Sequence, residues 1–141
     1  MRNKYYYKMR NILKFSTLTF FLLFLVSCDP SRDINFINKT ESPIKIKIKV
    51  GANNTSESLK KASVGDSIVF KVAPNATQNL YCGMGTWSEN EVDEKVKGIE
   101  NIEIETKDIK TIYKSTNSIT KILKDNRKGW WWKTKIEIEV E

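Results

Sequence analysis

The sequence predicts an all-β fold, a single antiparallel β-sandwich of immunoglobulin-like type with at most one short helix. Three observations lead there. Residues 44–50 read Ile-Lys-Ile-Lys-Ile-Lys-Val, a strict period of two that puts Ile44, Ile46, Ile48 and Val50 on one face and three lysines on the other. Similar alternation recurs in about seven short stretches separated by Gly, Pro, Asn and Asp. The chain after an apolar N-terminal segment, residues 28–141, has the length of one domain with one core. One-sided alternation means that each sheet buries one face and wets the other. A small barrel is the other architecture compatible with the pattern.

The first alternating run is Asp33 to Ile37, ended by Asn38-Lys39-Thr40-Glu41-Ser42-Pro43. The strand at 44–50 follows, because its β-branched side chains suit a pleated, half-buried surface and a helix would scatter them round its circumference. Gly51 to Ser56 is a loop, and Glu57 to Ser63 can add a helical turn. Ser67 to Val72 is a strand facing the core with Ile68, Phe70 and Val72, stopped by Pro74-Asn75. Residues 77–87 fit either a distorted strand or a loop. Residues 88–98 are the helix: Ser88 and Glu91 form a capping-box pattern, Val92 and Val96 lie four apart, and Glu91–Lys95 and Asp93–Lys97 are favourable i,i+4 pairs. Its apolar face is narrow, which predicts a short, superficial helix.

Strands resume at Glu100 to Thr106 and Lys110 to Lys114, and the Glu-rich outer face of the former suits pairing with the Lys-rich face of 44–50. Ile119, Ile122 and Leu123 fit a helical stripe, but their β-branched neighbours and the loop Asp125 to Gly129 favour a strand over 118–124 in a hairpin. The last strand runs 130–140. Trp130, Trp132, Thr134, Ile136, Ile138 and Val140 lie on one face, and Trp131, Lys133, Lys135, Glu137 and Glu139 on the other.

The N-terminal segment carries the most specific motif. Arg2, Lys4, Lys8, Arg10 and Lys14 precede an uncharged, Phe- and Leu-rich run over 15–27, the order of a secretory signal. That run is short of the roughly 20 apolar residues of a bilayer-spanning helix. It ends in Leu25-Val26-Ser27-Cys28, which resembles the lipobox of bacterial lipoprotein signal peptides at every position. The resemblance implies that residues 1–27 are removed and that Cys28 is lipidated on sulfur and acylated on its new N-terminus. Residues 28–32 then form a tether and 33–141 the sandwich. A location in the cell envelope follows, anchored to a bacterial membrane, the outer one, and facing the periplasm or the surface. Phe36-Ile37-Asn38-Lys39-Thr40 before an alternating strand resembles small envelope lipoproteins of Bacteroidota, a resemblance that brings no activity. Asp29 is similar both to an inner-membrane retention signal and, with Asp33, to the acidic surface-export signals of that phylum.

Charge and composition narrow the function. The chain is +7, but five of its 24 basic residues and none of its 17 acidic ones lie in the signal, leaving +2. Nucleic acid is therefore not an expected partner. There is no histidine, which removes Ser–His and Cys–His nucleophile pairs and His-based metal sites. No cofactor and no metal are called for. Cys82 is left alone once Cys28 is lipidated, and such a cysteine is more often a small buried hydrophobe than a reactive thiol. Gly83-Met84-Gly85 lacks the third glycine of a phosphate loop. Glu89, Glu91, Asp93 and Glu94 read as a solvated surface, since glycoside hydrolysis needs two carboxylates facing each other across a cleft.

Arg127-Lys128-Gly129-Trp130-Trp131-Trp132-Lys133 is the feature that stands out. Period two assigns Trp130 and Trp132 to the core and Trp131 to the wet face, where an indole beside Lys133 can stack on a sugar or rest at a membrane interface. Trp87, after a glycine pair, is a second loop aromatic. The candidate ligand-binding residues are therefore Trp131, Trp87, Lys133 and Arg127. The expected function is a non-enzymatic, lipid-anchored module binding an envelope protein or glycan. The alternative is a periplasmic immunity or inhibitor protein that blocks a toxin or enzyme.

Overall fold

A computed structural model describes residues 29–141. The signal segment and Cys28 lie outside the described residues. The described residues form eight strands and three helices. One sheet has the order β4 (Thr77–Met84), β1 (Ser31–Asn38), β8 (Lys135–Val140), β7 (Arg127–Lys128). The other has the order β3 (Ser67–Val72), β2 (Ile44–Val50), β5 (Ile99–Glu105), β6 (Lys110–Tyr113). The alternation in β2 works as expected: Ile44, Ile46 and Ile48 are buried and pair with Val72, Phe70 and Ile68 on one side. On the other side Ile46 and Ile48 pair with Ile104 and Ile102, while Lys45 and Lys47 stand opposite Glu105 and Glu103.

The inner faces of both sheets share one core. Ile34, Phe36, Leu80, Ile136 and Ile138 of the first sheet belong to the same buried cluster as the isoleucines of the second. The Phe36 and Phe70 rings lie 6.4 Å apart across it. Each such side chain, fully buried, stabilises the fold by about 1.5–3 kcal/mol. The architecture is thus a β-sandwich in outline, with two departures from expectation. β1 and β8 are parallel, with Asp33 beside Lys135 and Asn38 beside Val140. And there are three helices rather than at most one.

α1 spans Glu57–Ala62 and packs on β4 through the buried Leu59. α2 spans Glu89–Lys97, and the Ser88 hydroxyl accepts from the Glu91 N–H at 3.2 Å, half of the predicted capping box. This helix is not superficial, since Val92 and Val96 are buried in the core. Its predicted ion pairs are replaced: Glu91 pairs with Arg32, Asp93 with Lys124, and Lys97 with Glu94.

The segment expected as a strand over 118–124 is α3, Thr116–Asp125. Ser115 caps it by accepting from Ser118 N–H at 3.1 Å, and Ile119 and Leu123, four apart, are both buried against α2, β5 and β8. Tertiary burial of that stripe outweighs the β-branched preference. The last strand is also shorter than predicted, because β8 begins at Lys135 and residues 129–134 form a loop. Gly129 turns that loop at φ +122°, a left-handed conformation in which an added Cβ would run into the Trp132 carbonyl. Residues 77–84 are a strand, β4, which Gly83 (φ +117°) and the following Gly85 (φ +102°) bend away at its end.

Candidate functional site

Two features of the surface depart from a bland sandwich, a loop of exposed tryptophans and a cleft with a buried cation. The loop follows β7. Trp130, Trp131 and Trp132 are 89%, 79% and 65% exposed, so Trp130 and Trp132 are not in the core, contrary to expectation. The alternation that assigned them inward holds only from Lys135 onward, where backbone pairing to β1 starts. The Trp130 and Trp131 rings meet edge to face at 5.3 Å, the arrangement that two ring quadrupoles favour.

Trp87, read from sequence as a second loop aromatic and a candidate ligand contact, is buried and 1% exposed, so it is not available to a ligand at the surface. Its indole N–H donates to the Asp33 carbonyl at 3.1 Å, and the Arg32 guanidinium lies 5.5 Å from its ring centroid. Its backbone N–H donates to the Lys133 carbonyl. Arg127 is likewise a clamp rather than a free surface cation. It donates from Nη1 to the Trp87 carbonyl at 3.2 Å and from Nε to the Lys124 carbonyl at 3.3 Å, and it pairs with Glu89. The four residues singled out from sequence are therefore gathered in one place. Trp131 and Lys133 are exposed, and Trp87 and Arg127 are the foundation beneath them.

The cleft, about 850 Å³, lies between α1, the end of β4 and α2. At its floor is Lys95 of α2, one residue before Val96 on the inward side of the helix and only 7% exposed. Its ammonium donates to Ser56 Oγ at 2.7 Å, Ser58 Oγ at 2.9 Å and the Cys82 carbonyl at 3.4 Å. Among the described residues no carboxylate forms an ion pair with it. Desolvation lowers its pKa from the ordinary lysine value, with Arg32 adding to the fall and Cys82 and Glu91 opposing it. Ser56 is set by Asn54, whose Oδ1 accepts the Ser56 N–H at 2.8 Å, and the two serine oxygens lie 3.1 Å apart. Both hydroxyls accept from Lys95, so at least one O–H remains to donate into the cleft.

Above Lys95 stand Arg32, at the register shift of β1, together with exposed Tyr81 and Met84. Arg32 Nε is buried without a hydrogen-bond partner. Cys82 is buried beside Lys95. Burial pushes its thiol up to about 11, only partly offset by the lysine, so it is a protonated small hydrophobe at neutral pH. The cleft presents hydroxyl donors, a cation and an apolar rim, the make-up of a site for a polar or anionic group. Its one lining carboxylate, Glu57, is paired with Lys61, which is not the facing pair that glycoside hydrolysis uses.

Lys95, Ser56, Ser58 and Arg32 are functional candidates that sequence reasoning missed. The available signal was Lys95 itself, a cation on the Val92–Val96 side of a helix. Among the described residues no helix is long and apolar enough to cross a membrane, and no group of three His, Cys, Asp or Glu residues is placed to hold a metal. No protein-family model matches the chain, and neither a curated protein nor a solved structure matches it.

Proposed function

We propose that this chain is a lipid-anchored cell-envelope protein and a non-enzymatic binding module for an envelope protein or glycan. The lipobox Leu25-Val26-Ser27-Cys28 supports the location. The observation that carries the binding reading is Lys95, a buried ammonium held by hydroxyls and a carbonyl at the floor of an open cleft. Burying a cation without a carboxylate is costly. A ligand acceptor reaching the cleft would gain that unneutralised charge and a free serine hydroxyl together. The immunoglobulin-like form of the sandwich belongs to the same reading. Two four-stranded sheets over one core support it, with the helices and the parallel β1–β8 pair as additions to that plan.

Protease shaving of intact cells, beside lysed cells and a Cys28→Ala control, tests the location. Cleavage on whole cells puts the domain outside, cleavage only after lysis puts it in the periplasm, and a mature protein whose Cys28 peptide carries no lipid in mass spectrometry sinks the anchor. Envelope glycans and proteins are then screened against the protein and a Tyr81→Ala variant, which alters an exposed cleft residue without touching the core. Binding that the variant leaves unchanged rules the cleft out.

One observation favours the immunity or inhibitor reading as second. Of the cations lining the cleft, Arg32 is paired with Glu91 and Lys61 with Glu57, but Lys95 forms no ion pair among the described residues, which leaves one unneutralised positive charge for an acidic group of a protein surface. A toxin gene beside this one would support it.

A further inference from the structure

We propose that the Trp130–Trp132 loop seats in the headgroup region of the same bilayer that holds the lipid on Cys28, so that the domain is fixed to the membrane at two points. The inference rests on the lipoprotein reading above and adds a second anchor and an orientation to it.

The geometric argument starts from β1 and β8. They are parallel and in register, Asp33 beside Lys135, and the Asp33 N–H donates to the Thr134 carbonyl at 3.1 Å. The tether and the tryptophan loop therefore leave the sheet from the same end. Cys28 precedes Asp33 by five residues and Trp132 precedes Lys135 by three. Even fully extended, those segments span only about 17 Å and about 10 Å. Had β8 run antiparallel to β1, the loop would stand at the other end of the strand, about 25 Å away.

The chemistry of the loop fits the occupant. Three contiguous indoles at 89%, 79% and 65% exposure form an apolar patch that water does not favour. Tryptophan is the side chain most at home at a headgroup boundary, with an apolar body and one N–H for the polar side. Residues 127–135 hold Arg127, Lys128, Lys133 and Lys135 and no acid. The three lysines make no ion pair among the described residues, so they are available to anionic headgroups. The loop is also built to stay out. Gly129 makes a turn that only glycine fits, and Lys133 and Arg127 tie the loop's two ends to the buried Trp87. Holding the indoles away from the protein in advance reduces the ordering cost of insertion. The lipids on Cys28 hold the chain to the bilayer through a short tether, and a second, protein-borne contact restrains tumbling about that tether.

The test uses the full lipidated protein, reconstituted in phosphatidylcholine–phosphatidylglycerol vesicles whose acyl chains are brominated near the headgroup. Three of the four tryptophans lie in the loop, and Trp87 is shielded in the core. The expected result is loss of most of the tryptophan emission relative to unbrominated vesicles, with a blue shift on binding. A variant carrying Trp130→Ser, Trp131→Ser and Trp132→Ser should keep its residual emission in brominated vesicles. That residual emission comes from Trp87 and reports that the core is intact. Mass spectrometry of the Cys28 peptide separates the two readings. A lipidated protein whose loop emission is the same in both vesicle types overturns the loop inference and leaves the lipoprotein reading standing. An unmodified Cys28 overturns both. Absence of quenching together with a spectral change on adding soluble envelope glycan assigns the loop to sugar stacking and overturns the inference.

Discussion

Asn38 offers the sharpest test of how this sandwich is closed. It ends β1, is fully buried, and bonds in every direction its amide allows. The two N–H groups of its Nδ2 are shared among the carbonyls of Ser42 (2.9 Å), Val72 (3.1 Å) and Ala73 (3.0 Å), and its Oδ1 accepts from the Thr40 N–H (2.9 Å) and hydroxyl (2.7 Å). One side chain thus joins the end of β1 to the turn before β2 and the end of β3, strands of opposite sheets. The perturbation is Asn38→Asp, which keeps shape and the Oδ1 acceptor but replaces the donor with oxygen. An ionised carboxylate would face three carbonyl oxygens, so it is disfavoured and the folded-state pKa of the new acid rises above its ordinary value of about 3.9. With a raised pKa, the protonated form's contribution is fully present below about 3.9 and is lost as pH rises through the folded value. Two N–H donors, shared among three carbonyls, are lost at neutral pH, each net bond being worth about 1 kcal/mol before the added cost of leaving buried carbonyls unpaired beside a carboxylate. The expected deficit against wild type is therefore about 3–5 kcal/mol at neutral pH, and smaller in acid, where one O–H can donate to one carbonyl. Urea denaturation followed by far-ultraviolet circular dichroism, at neutral and acid pH, measures both numbers. A variant as stable as wild type at neutral pH, or a deficit independent of pH, would refute the reasoning.

Other predictions follow the same logic. The Cys82 thiol, raised to about 11 from 9.0 by burial, stays protonated where the unfolded chain ionises. Stability should therefore fall as pH rises through that window, and Cys82→Ala should remove up to about 3 kcal/mol of the fall. Lys95, lowered by desolvation, has the opposite slope, so wild type and variant must be compared by denaturant titration at each pH rather than read singly. Gly98→Ala should cost about 1–3 kcal/mol by thermal denaturation, because its Cβ would strike buried Asn54 Oδ1 and crowd Leu59. Trp87→Phe should cost about 2–3 kcal/mol in urea titrations, through the lost indole bond to Asp33 and a smaller ring in a site 1% exposed. A change within about 0.5 kcal/mol there would mean that Trp87 is not the support described.

What was legible in the sequence was what local periodicity decides. The period-two run of β2 and the Ser88 cap of α2 are set by neighbours in the chain, the lysine–glutamate register against β5 follows where two alternating runs of opposite charge meet, and all three stand where expected. α3 is not legible in the sequence because two local signals conflict. Thr120, Ile119 and Ile122 favour a strand, whereas Ile119 and Leu123 at i,i+4 favour a helix, and contact with α2, β5 and β8 decides between them. The placement of the tryptophans is not legible because alternation continues through residues 130–134 by coincidence, with no strand to sustain it, and an exposed indole leaves no local mark. The cleft was illegible for a different reason: Ser56, Cys82 and Lys95 come from three elements. Only the inward position of Lys95 on α2 hinted at it.

Trp87 links the two surface features. On one side its ring supports Arg32, which pairs with Glu91 and stands over the Lys95 cleft. On the other its backbone holds Lys133 and Arg127, the two ends of the tryptophan loop. The β1–β4 register also puts Met84 beside Ser31, so the Gly83–Met84 rim of the cleft is at the tether end of the sheet. With the loop seated on a bilayer, that rim faces toward the membrane and the Phe70–Asn79 part of the cleft faces away. A partner would then approach from the side at which β4 is the sheet edge, opposite the β7 edge that carries the loop. On the proposed seating, the Phe70–Asn79 part of the cleft would stay open to a ligand while the loop is at the bilayer, and Trp87 is the residue that touches the supports of both features.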